Sequence, residues 1–308
     1  MTTPLPQGLW PVMLTPFRED RSVDWAGVDA LTDWYLARGA AGLFAVCLSS
    51  EMYELTEAER LELAARVVNR AAGRVPVVAT GSFGGPVAVQ AEFTRRLSGT
   101  GVAAAILIVS QFAGKTESDE VWQARVEEFL SLTGELPLGL YECPAPYHRL
   151  LEPRRLAWAA GTGRFVWMKD TCCDAALEQA KIAACRGTPL RWYNAHTPTL
   201  LASLQAGGDG FSGIAANLYP EPFSWLCANF ATQPEKAREL QNRLTLCEMA
   251  IRGGYPRSAK AFLRRRGLPI LDVCRAVSAP PAGPAGEEAL LHSSLLAELE
   301  DVFQQPTV

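Results

Sequence analysis

The stretch that decides the fold is Phe165-Val166-Trp167-Met168-Lys169-Asp170. It is a short apolar run that ends in a lysine and an aspartate. Its first four residues are apolar without alternation, which is typical of a parallel strand covered on both faces. In barrels built from such strands, the residues at the carboxyl ends carry the chemistry. Similar runs elsewhere, and the polar residues that close them, therefore bear on both fold and function.

Apolar runs of this kind recur about every 20 to 35 residues along the chain. Eight are predicted as strands, with helical segments between them. This alternation favours a (β/α)8 TIM barrel, and a doubly wound sheet is the alternative. The predicted strands are Leu9–Leu14, Gly42–Leu48, Val75–Thr80, Ala104–Val109, Leu138–Tyr141, Phe165–Lys169, Arg191–Tyr193 and Gly210–Ile214.

The helical segments carry recognisable start and stop signals. Thr56-Glu57-Ala58-Glu59 is a capping box that starts one helix, and Gly73 follows the end of that helix. The predicted barrel helices are Asp24–Arg38, Thr56–Ala72, Val87–Leu97, Asp119–Leu132, Pro153–Ala160, Ala175–Ala184 and Pro198–Ala206.

Strand signals stop after about residue 224. A barrel is therefore expected over residues 1–224 and a C-terminal helical extension over residues 225–308. Within the extension, the proline-rich segment 278–285 is predicted to be a linker. The predicted helices of the extension are Pro234–Arg252, Ser258–Arg266 and Gly286–Phe303.

Composition narrows the function classes. The 308-residue chain is 48% hydrophobic with a net charge of −4, and it has no long basic block, so neither nucleic acid nor a membrane is expected as a partner. Met1 to Leu9 contains no basic residue and resembles no signal peptide. The eight cysteines form no Cys-x-x-Cys pair, so neither a zinc site nor a disulfide framework is predicted. The glycine motif Gly208-Asp-Gly-Phe-Ser-Gly213 leads into a strand instead of from a strand into a helix, so no dinucleotide cofactor is predicted either. A cytoplasmic location is the expectation.

Lys169 is the first candidate for chemistry, because it closes an apolar strand. Burying a charged lysine is costly, and desolvation lowers its pKa and makes the neutral amine a usable nucleophile. Such lysines form Schiff bases with carbonyl substrates. The alternative is a lysine just past the strand end that extends to water, and position alone does not separate the two.

Two further strand ends carry polar residues. Tyr141 ends its strand and could present a hydroxyl to the barrel mouth as an acid or base, although a core tyrosine is the more frequent case. Ser49 and Ser50 follow another strand, where hydroxyls and backbone amides could hold a carboxylate. An ordinary serine-rich turn is the alternative.

Taken together, these residues resemble the dihydrodipicolinate synthase / N-acetylneuraminate lyase family of class I aldolases. Tyr141 precedes Lys169 by 28 positions, which matches the interval between the catalytic tyrosine and the imine lysine of that family. Each motif is weak alone, but together they occur in the family's order at matching spacing over nearly the whole chain. The other matching segments are Pro11-Val-Met-Leu-Thr-Pro-Phe17, Cys47-Leu-Ser-Ser-Glu51, Gly207-Gly-Asp-Gly-Phe-Ser-Gly-Ile-Ala-Ala-Asn217 and, in the later helix, Pro256, Lys260 and Leu263.

The resemblance implies a fold, a substrate class and residue roles. Members are (β/α)8 barrels with a C-terminal helical extension, and they are usually homotetramers that bind pyruvate or another 2-keto acid as a lysine imine. Lys169 would form the imine and Tyr141 would move the proton. Ser49 and the Ser50 amide would hold the carboxylate, and Gly213 would leave room for the keto acid. A homo-oligomer, tetramer or dimer, is expected.

The chain also departs from the synthases of that family. Leu48 and Phe112 stand where the synthases have hydroxyl-bearing residues that extend the proton relay from the tyrosine. Pro146 stands at the position of the arginine for their second substrate, and Arg149 is displaced by three residues. Dihydrodipicolinate synthesis is therefore not expected.

Sialic acid is not the expected substrate either. The sialate lyases have an acidic pair where this chain has Thr197 and Pro198. His196 lies beside them and could bind a second substrate or act as an acid or base, although an ordinary hydrogen-bonded loop histidine is slightly favoured. Together with Phe112, it completes the set of predicted substrate-binding residues.

The predicted function is a class I lyase that cleaves or condenses a 2-keto acid through a lysine Schiff base. Two alternatives stay open: a dehydratase of 2-keto-3-deoxy sugar acids, and a relative that binds a 2-keto acid without turnover. The sequence assigns no role to Cys143, Cys172 or Cys173.

Overall fold

Eight parallel strands form the centre of the protein. The computed structural model describes residues 4–251 and 254–276 and, within that range, not the side chains of 247 and 249–251. The strands pair in the order β1-β8-β7-β6-β5-β4-β3-β2. Their bounds are β1 Gly8–Leu9, β2 Leu43–Phe44, β3 Val77–Thr80, β4 Ala104–Ile108, β5 Leu138–Tyr141, β6 Phe165–Asp170, β7 Arg191–Asn194 and β8 Gly210–Phe211.

The sheet closes on itself at β1. Gly8 pairs with Gly210 of β8, and a side chain at Gly210 would collide with the Gly8 backbone. On its other side, the first strand bridges in parallel to the second, through Leu9 with Ala40 and Val12 with Phe44. The predicted (β/α)8 TIM barrel is therefore confirmed.

Helices α1 to α7 each follow the strand of the same number, and their bounds lie within about two residues of the predicted ones. The capping box is confirmed: Glu59 N–H donates to the Thr56 hydroxyl, and Thr56 N–H donates to the Glu59 carboxylate. The bounds are α1 Trp25–Leu36, α2 Glu57–Ala71, α3 Val87–Ser98, α4 Asp119–Leu132, α5 Pro153–Gly161, α6 Ala175–Cys185 and α7 Leu200–Gln205.

Three helices follow the eighth strand. They are α8 Pro220–Asn229, α9 Pro234–Ile251 and α10 Arg257–Arg265. The sequence analysis did not predict α8, which packs on β1 as the eighth barrel helix, and the expected boundary at residue 224 falls inside it. The predicted linker 278–285 and helix Gly286–Phe303 lie outside the described residues.

Aromatic rings fill the barrel interior below the carboxyl ends of the strands. Trp167 of β6 stacks on Tyr193 of β7 with ring centroids 5.4 Å apart, and Trp10 lies 5.4 Å from the same tyrosine. Phe44 lies 5.1 Å from Trp167 and 5.8 Å from Tyr141. These rings form the floor of the site. No helix in the part of the chain that the structure describes combines the length and apolar character needed to cross a bilayer.

Candidate active site

Lys169 and Tyr141 lie side by side at the carboxyl ends of β6 and β5. They are register partners in the parallel ladder, and the Lys169 Nζ lies 4.7 Å from the centroid of the Tyr141 ring. Both are buried, with 4% and 3% of their surfaces exposed. The structure thus brings together the two residues that the sequence analysis proposed for the chemistry.

Burial without a counterion makes the Lys169 amine unusual. Within residues 4–251 and 254–276, no carboxylate forms an ion pair with its Nζ. Desolvation lowers the pKa of Lys169 to about 8, and the nearby Cys47 and Cys143 thiols oppose the shift only in part. At pH 7, one unit below this pKa, about a tenth of the amine is therefore neutral, and so nucleophilic.

Tyr141 keeps its proton at neutral pH. Burial raises the pKa of Tyr141 well above its ordinary value, and the Cys143 thiol adds to the shift. Cys143 is itself fully buried, and burial raises its pKa as well. The tyrosine can therefore donate a hydrogen bond or a proton to a substrate atom beside the Lys169 amine.

The two predicted carboxylate-binding serines lie in a 3₁₀ turn, Leu48–Ser50, after β2. The Ser50 hydroxyl lies 2.6 Å from both the Met13 and Ala45 carbonyl oxygens, and the Ser50 N–H donates to the Cys47 carbonyl at 3.0 Å. Ser50 therefore fastens the turn to the barrel. The Ser49 side chain, in the middle of the turn, is also buried.

Glu51 anchors the same turn from its other end. It has a left-handed backbone with φ of +56°, and it is buried. Its carboxylate accepts from Lys260 Nζ at 2.6 Å and from the N–H groups of Arg275 and Ala276 at 2.6 and 2.7 Å. The C-terminal extension thus completes the serine turn, a role that local sequence does not reveal.

Gly213 is required for close packing. A Cβ at this position would lie 2.3 Å from the Phe211 ring and 2.7 Å from the Ala195 carbonyl oxygen. No side chain fits there without moving the end of β8. The sequence analysis predicted that Gly213 leaves room for the keto acid. That role remains a prediction.

His196 and Phe112 occupy different surroundings. His196 is partly buried; its N–H donates to Asn194 Oδ1 at 2.7 Å, and its Nδ1 lies 3.2 Å from the Thr199 hydroxyl. Phe112 is 1% exposed and packs edge-on against Phe129 of α4 with ring centroids 5.2 Å apart. Their predicted contacts with substrate remain predictions.

A second buried lysine lies behind the strands, on α6. Lys181 Nζ donates to both oxygens of Glu142, at 2.7 and 2.9 Å, and to Asp170 Oδ2 at 2.7 Å. All three side chains are buried. Desolvation and the Asp170 charge raise the pKa of Glu142, and the two carboxylates keep the pKa of Lys181 above its ordinary value. The sequence analysis did not identify this cluster.

Asp170 also belongs to a small group of potential metal donors. Among the residues with assigned positions, Asp170, Cys172 and Glu178 place one donor atom each within 4.8 Å of one another. The Lys181 ammonium already holds Asp170, and burial raises the pKa of the Cys172 thiol, which opposes thiolate formation. Cys173 beside them is exposed, with φ of +57°. These residues therefore do not fit a metal ion well.

Comparisons with known proteins find a family model and several relatives similar to this chain. Residues 5–298 match the model of the Dihydrodipicolinate synthetase family. A curated 4-hydroxy-tetrahydrodipicolinate synthase of Stenotrophomonas maltophilia (strain R551-3) is 29% identical over 298 residues, covering 93% of this chain and 97% of the relative.

Solved structures share the fold. The chloride-inhibited dihydrodipicolinate synthase from Acinetobacter baumannii, complexed with pyruvate, superimposes with a TM-score of 0.83 at 23% identity, covering 96% of this chain and 98% of that one. YagE, a prophage protein of the dihydrodipicolinic acid synthase family from E. coli K12, also in complex with pyruvate, gives a TM-score of 0.84 with the same identity and coverage.

Proposed function

Because the chain belongs to the dihydrodipicolinate synthetase family, whose members are lyases, we propose that it acts on pyruvate or another 2-keto acid through a Schiff base on Lys169. The reaction is aldol cleavage or condensation. The observation that carries the proposal is a buried amine with a lowered pKa, placed 4.7 Å from the ring of Tyr141. The family match and the pyruvate complexes of the two structural neighbours support it.

The first step uses the neutral form of Lys169. Its nitrogen attacks the C2 carbonyl carbon of the keto acid, and loss of one water molecule gives an imine. Once protonated, the imine accepts the electron pair that the C3–C4 bond releases on cleavage, so C3 becomes part of an enamine. The C4 hydroxyl loses its proton as it becomes a carbonyl. The Tyr141 oxygen accepts that proton as its own hydrogen passes to C3 of the enamine, which regenerates the imine. Water then hydrolyses the imine to release the keto acid and the Lys169 amine, and reversal of the same steps condenses the two parts.

The substrate carboxylate has a separate binding region in this proposal. The Ser49 hydroxyl, in the middle of the 3₁₀ turn, donates to it. Orientation by the carboxylate brings C2 to the Lys169 nitrogen, which converts the attack into a step between fixed partners. No cofactor takes part.

The second substrate differs from that of the synthases. Leu48 and Phe112 carry no hydroxyl, and Pro146 replaces the arginine that the resemblance associates with the second substrate. We therefore propose cleavage or condensation of a different 2-keto acid rather than synthesis of 4-hydroxy-tetrahydrodipicolinate. A cytoplasmic homo-oligomer, tetramer or dimer, is part of the proposal.

Borohydride trapping tests the mechanism. Native protein is incubated with pyruvate and, separately, with a 2-keto-3-deoxy sugar acid, reduced with borohydride, and analysed by intact mass and peptide mapping. We expect one adduct on Lys169, no adduct in Lys169→Ala, and full labelling in the control Lys115→Ala, which replaces an exposed lysine. Folded wild-type protein that is labelled by neither keto acid would contradict the proposal.

Product analysis of the same incubations separates the alternatives. An aldehyde released from the sugar acid indicates an aldolase, and loss of one water without a new aldehyde indicates a dehydratase. Trapping without any product from a panel of aldehydes and sugar acids indicates a binding protein.

A further inference from the structure

Two hydroxyl groups at the carboxyl ends of barrel strands are buried and unpaired. Thr80 is the last residue of β3, and Ser212 directly follows β8. Both residues are completely buried, yet neither hydroxyl has a hydrogen-bond partner among the residues that the structure describes. Leaving a buried hydroxyl without a partner is costly, so each such group calls for an explanation.

The chain around these hydroxyls is well anchored. The Thr80 and Ser212 N–H groups donate to carbonyl oxygens of the adjacent strand segments at 2.9 and 2.7 Å. The Ser82 hydroxyl, two residues past Thr80, accepts from the Ile108 N–H at 2.7 Å. A hydroxyl that holds these strand ends together thus has a partner, and the Thr80 and Ser212 hydroxyls do not contribute in that way.

Thr80 faces the barrel interior. It pairs in the ladder with Ile106, which pairs with Gly139. Gly139 lies two residues before Tyr141. Paired residues, and residues two apart on one strand, share a face of the sheet. Thr80 therefore shares the interior face of Tyr141.

Ser212 faces the interior as well. Lys169 pairs with Tyr193, and Tyr193 with Gly210. Ser212 lies two residues past Gly210, and its N–H continues the ladder to β7. Phe211, between the two, stacks on a ring of α8 outside the barrel. Ser212 therefore shares the interior face of Lys169.

The tilt of the strands brings Ser212 level with the reactive amine. In a barrel of this kind, the residue at equal height shifts by about one position per strand relative to the ladder. The ladder leads from Tyr193 through β8 to Gly8, but the ring in contact with Tyr193 is that of Trp10, two positions further on, at 5.4 Å. By the same step across two strands, Ser212 is level with Lys169.

The reverse step brings Thr80 level with Tyr141. From Tyr141, the ladder leads through Ile108 of β4 to the position of Ser82 on β3, and Thr80 lies two positions before it. Thr80 and Ser212 are thus each two strands away from a residue of the proposed chemistry, about 9–10 Å between backbones. All of these side chains converge on the barrel axis.

We propose that Thr80 and Ser212 bind hydroxyl groups on the part of the substrate beyond C3, and that the substrate is therefore a polyhydroxylated 2-keto acid. A side-chain hydroxyl both donates and accepts, which matches the hydrogen bonding of an alcohol. This inference rests on the proposed function, because it names the substrate class for the same site.

The surroundings favour an uncharged polar partner. A second carboxylate would need a cation or several N–H donors in this buried position, and neither Thr80 nor Ser212 supplies them. An apolar chain would leave both hydroxyls unpaired above the aromatic floor. A hydroxylated chain satisfies both groups and keeps the rest of the interior as it is.

The test compares two six-carbon keto acids that differ in their hydroxyl groups. Wild type, Thr80→Val, Ser212→Ala and the control Thr32→Val are titrated with 2-keto-3-deoxygluconate and with 2-oxohexanoate, and the half-maximal concentration for borohydride trapping is measured. Pyruvate serves as the reference for imine formation, since it has no atoms beyond C3. The control removes a buried hydroxyl of α1 that donates to the Val28 carbonyl at 2.8 Å.

Wild type is expected to trap 2-keto-3-deoxygluconate at lower concentration than 2-oxohexanoate. Thr80→Val and Ser212→Ala should each raise the half-maximal concentration for the hydroxylated acid about 3- to 10-fold, the effect of losing one hydrogen bond, and change that for 2-oxohexanoate by less than about twofold. Thr32→Val should leave both values unchanged. An unchanged value for the hydroxylated acid in the two test variants, or an equal loss for both acids, would overturn the inference.

Thermal unfolding separates ligand binding from a structural role. Thr80→Val and Ser212→Ala break no hydrogen bond within the described chain, so neither should lower the melting temperature. A marked fall for either variant would show that its hydroxyl is paired within the protein and would overturn its assignment.

The outcomes also separate this inference from the mechanism on which it rests. Wild-type protein that is labelled by pyruvate but does not prefer the hydroxylated acid would overturn the inference and leave the Lys169 mechanism intact. Folded protein labelled by none of the three keto acids would overturn both.

Discussion

Lys169 and Lys181 are both buried, and they differ in what faces them. Lys169 points into the barrel towards Tyr141 and has no carboxylate partner among the residues described, whereas Lys181 is held between Glu142 and Asp170. Burial lowers the pKa of Lys169 to about 8, and paired carboxylates raise that of Lys181. The comparison teaches that burial lowers the pKa of a lysine only where no counterion faces the amine.

Strand geometry produces this contrast. Glu142 follows Tyr141 directly, and Asp170 follows Lys169. Successive side chains of a strand point to opposite faces, so Lys169 and Tyr141 face the barrel while the two carboxylates face α6. The charges that would neutralise Lys169 are thus one residue away in sequence but on the other side of the sheet, where Lys181 binds them.

The largest stability effect is expected at Lys181. In Lys181→Met, the two buried carboxylates lose their cation, which costs about 3–5 kcal/mol of unfolding free energy. Urea denaturation measures this loss, with Lys115→Met as the exposed control. Adding Glu142→Gln to Lys181→Met should recover part of the loss, since one buried carboxylate is removed. A loss below about 1 kcal/mol would show that the cluster is solvated.

The same substitution at Lys169 should have the opposite sign. Because the folded-state pKa of Lys169, about 8, lies below its ordinary value of 10.5, the charged form costs stability below pH 8, and the cost disappears as the pH rises from 8 to 10.5. Lys169→Met should therefore raise the unfolding free energy at pH 7 by about 3 kcal/mol, while labelling by pyruvate is lost. A destabilised variant would contradict the unpaired state of this lysine.

The smallest expected effect is the pH dependence of imine formation. At limiting pyruvate, the initial trapping rate should rise about 10-fold per pH unit below pH 8 and level off above it, because only the neutral amine attacks. Rates are measured with short pulses of borohydride between pH 6 and 10. A rate that still rises steeply at pH 10 would indicate that the pKa of Lys169 is not lowered. Lys169 and Lys181 would then not differ in the way described above.

Much of the fold follows from local sequence. The strand Leu138–Tyr141 and the helix Asp119–Leu132 have the predicted bounds, because continuous apolar runs and end signals lie within the segments themselves. The first predicted strand, Leu9–Leu14, is shorter in the structure, where β1 ends at Leu9. Pro11 has no N–H group to donate to the second strand, so beyond Leu9 the pairing there is reduced to the isolated bridge of Val12 with Phe44. The helix α8 was missed although Pro220 stands at its first turn, a frequent start signal.

The candidate site likewise contains residues that the sequence reveals and residues that it does not. Lys169, Tyr141 and Ser49 are marked by their positions at strand ends, so the sequence suffices to propose them. Lys181 is not marked in this way, because it lies within a helix and its partners are far away in the chain. Lys181 meets Glu142 across 39 residues, and neither its burial nor its partners can be inferred from the helix that carries it.

The anchoring of Glu51 has a consequence for biosynthesis. Glu51 and its cation Lys260 are 209 residues apart. At about 5–20 residues per second, the ribosome needs about 10–40 s to deliver that partner after Glu51 has been made. During this interval, the serine turn lacks the cation that holds its Glu51 end. The nascent barrel can build its aromatic floor early, but the serine turn is anchored only after Lys260 has been translated.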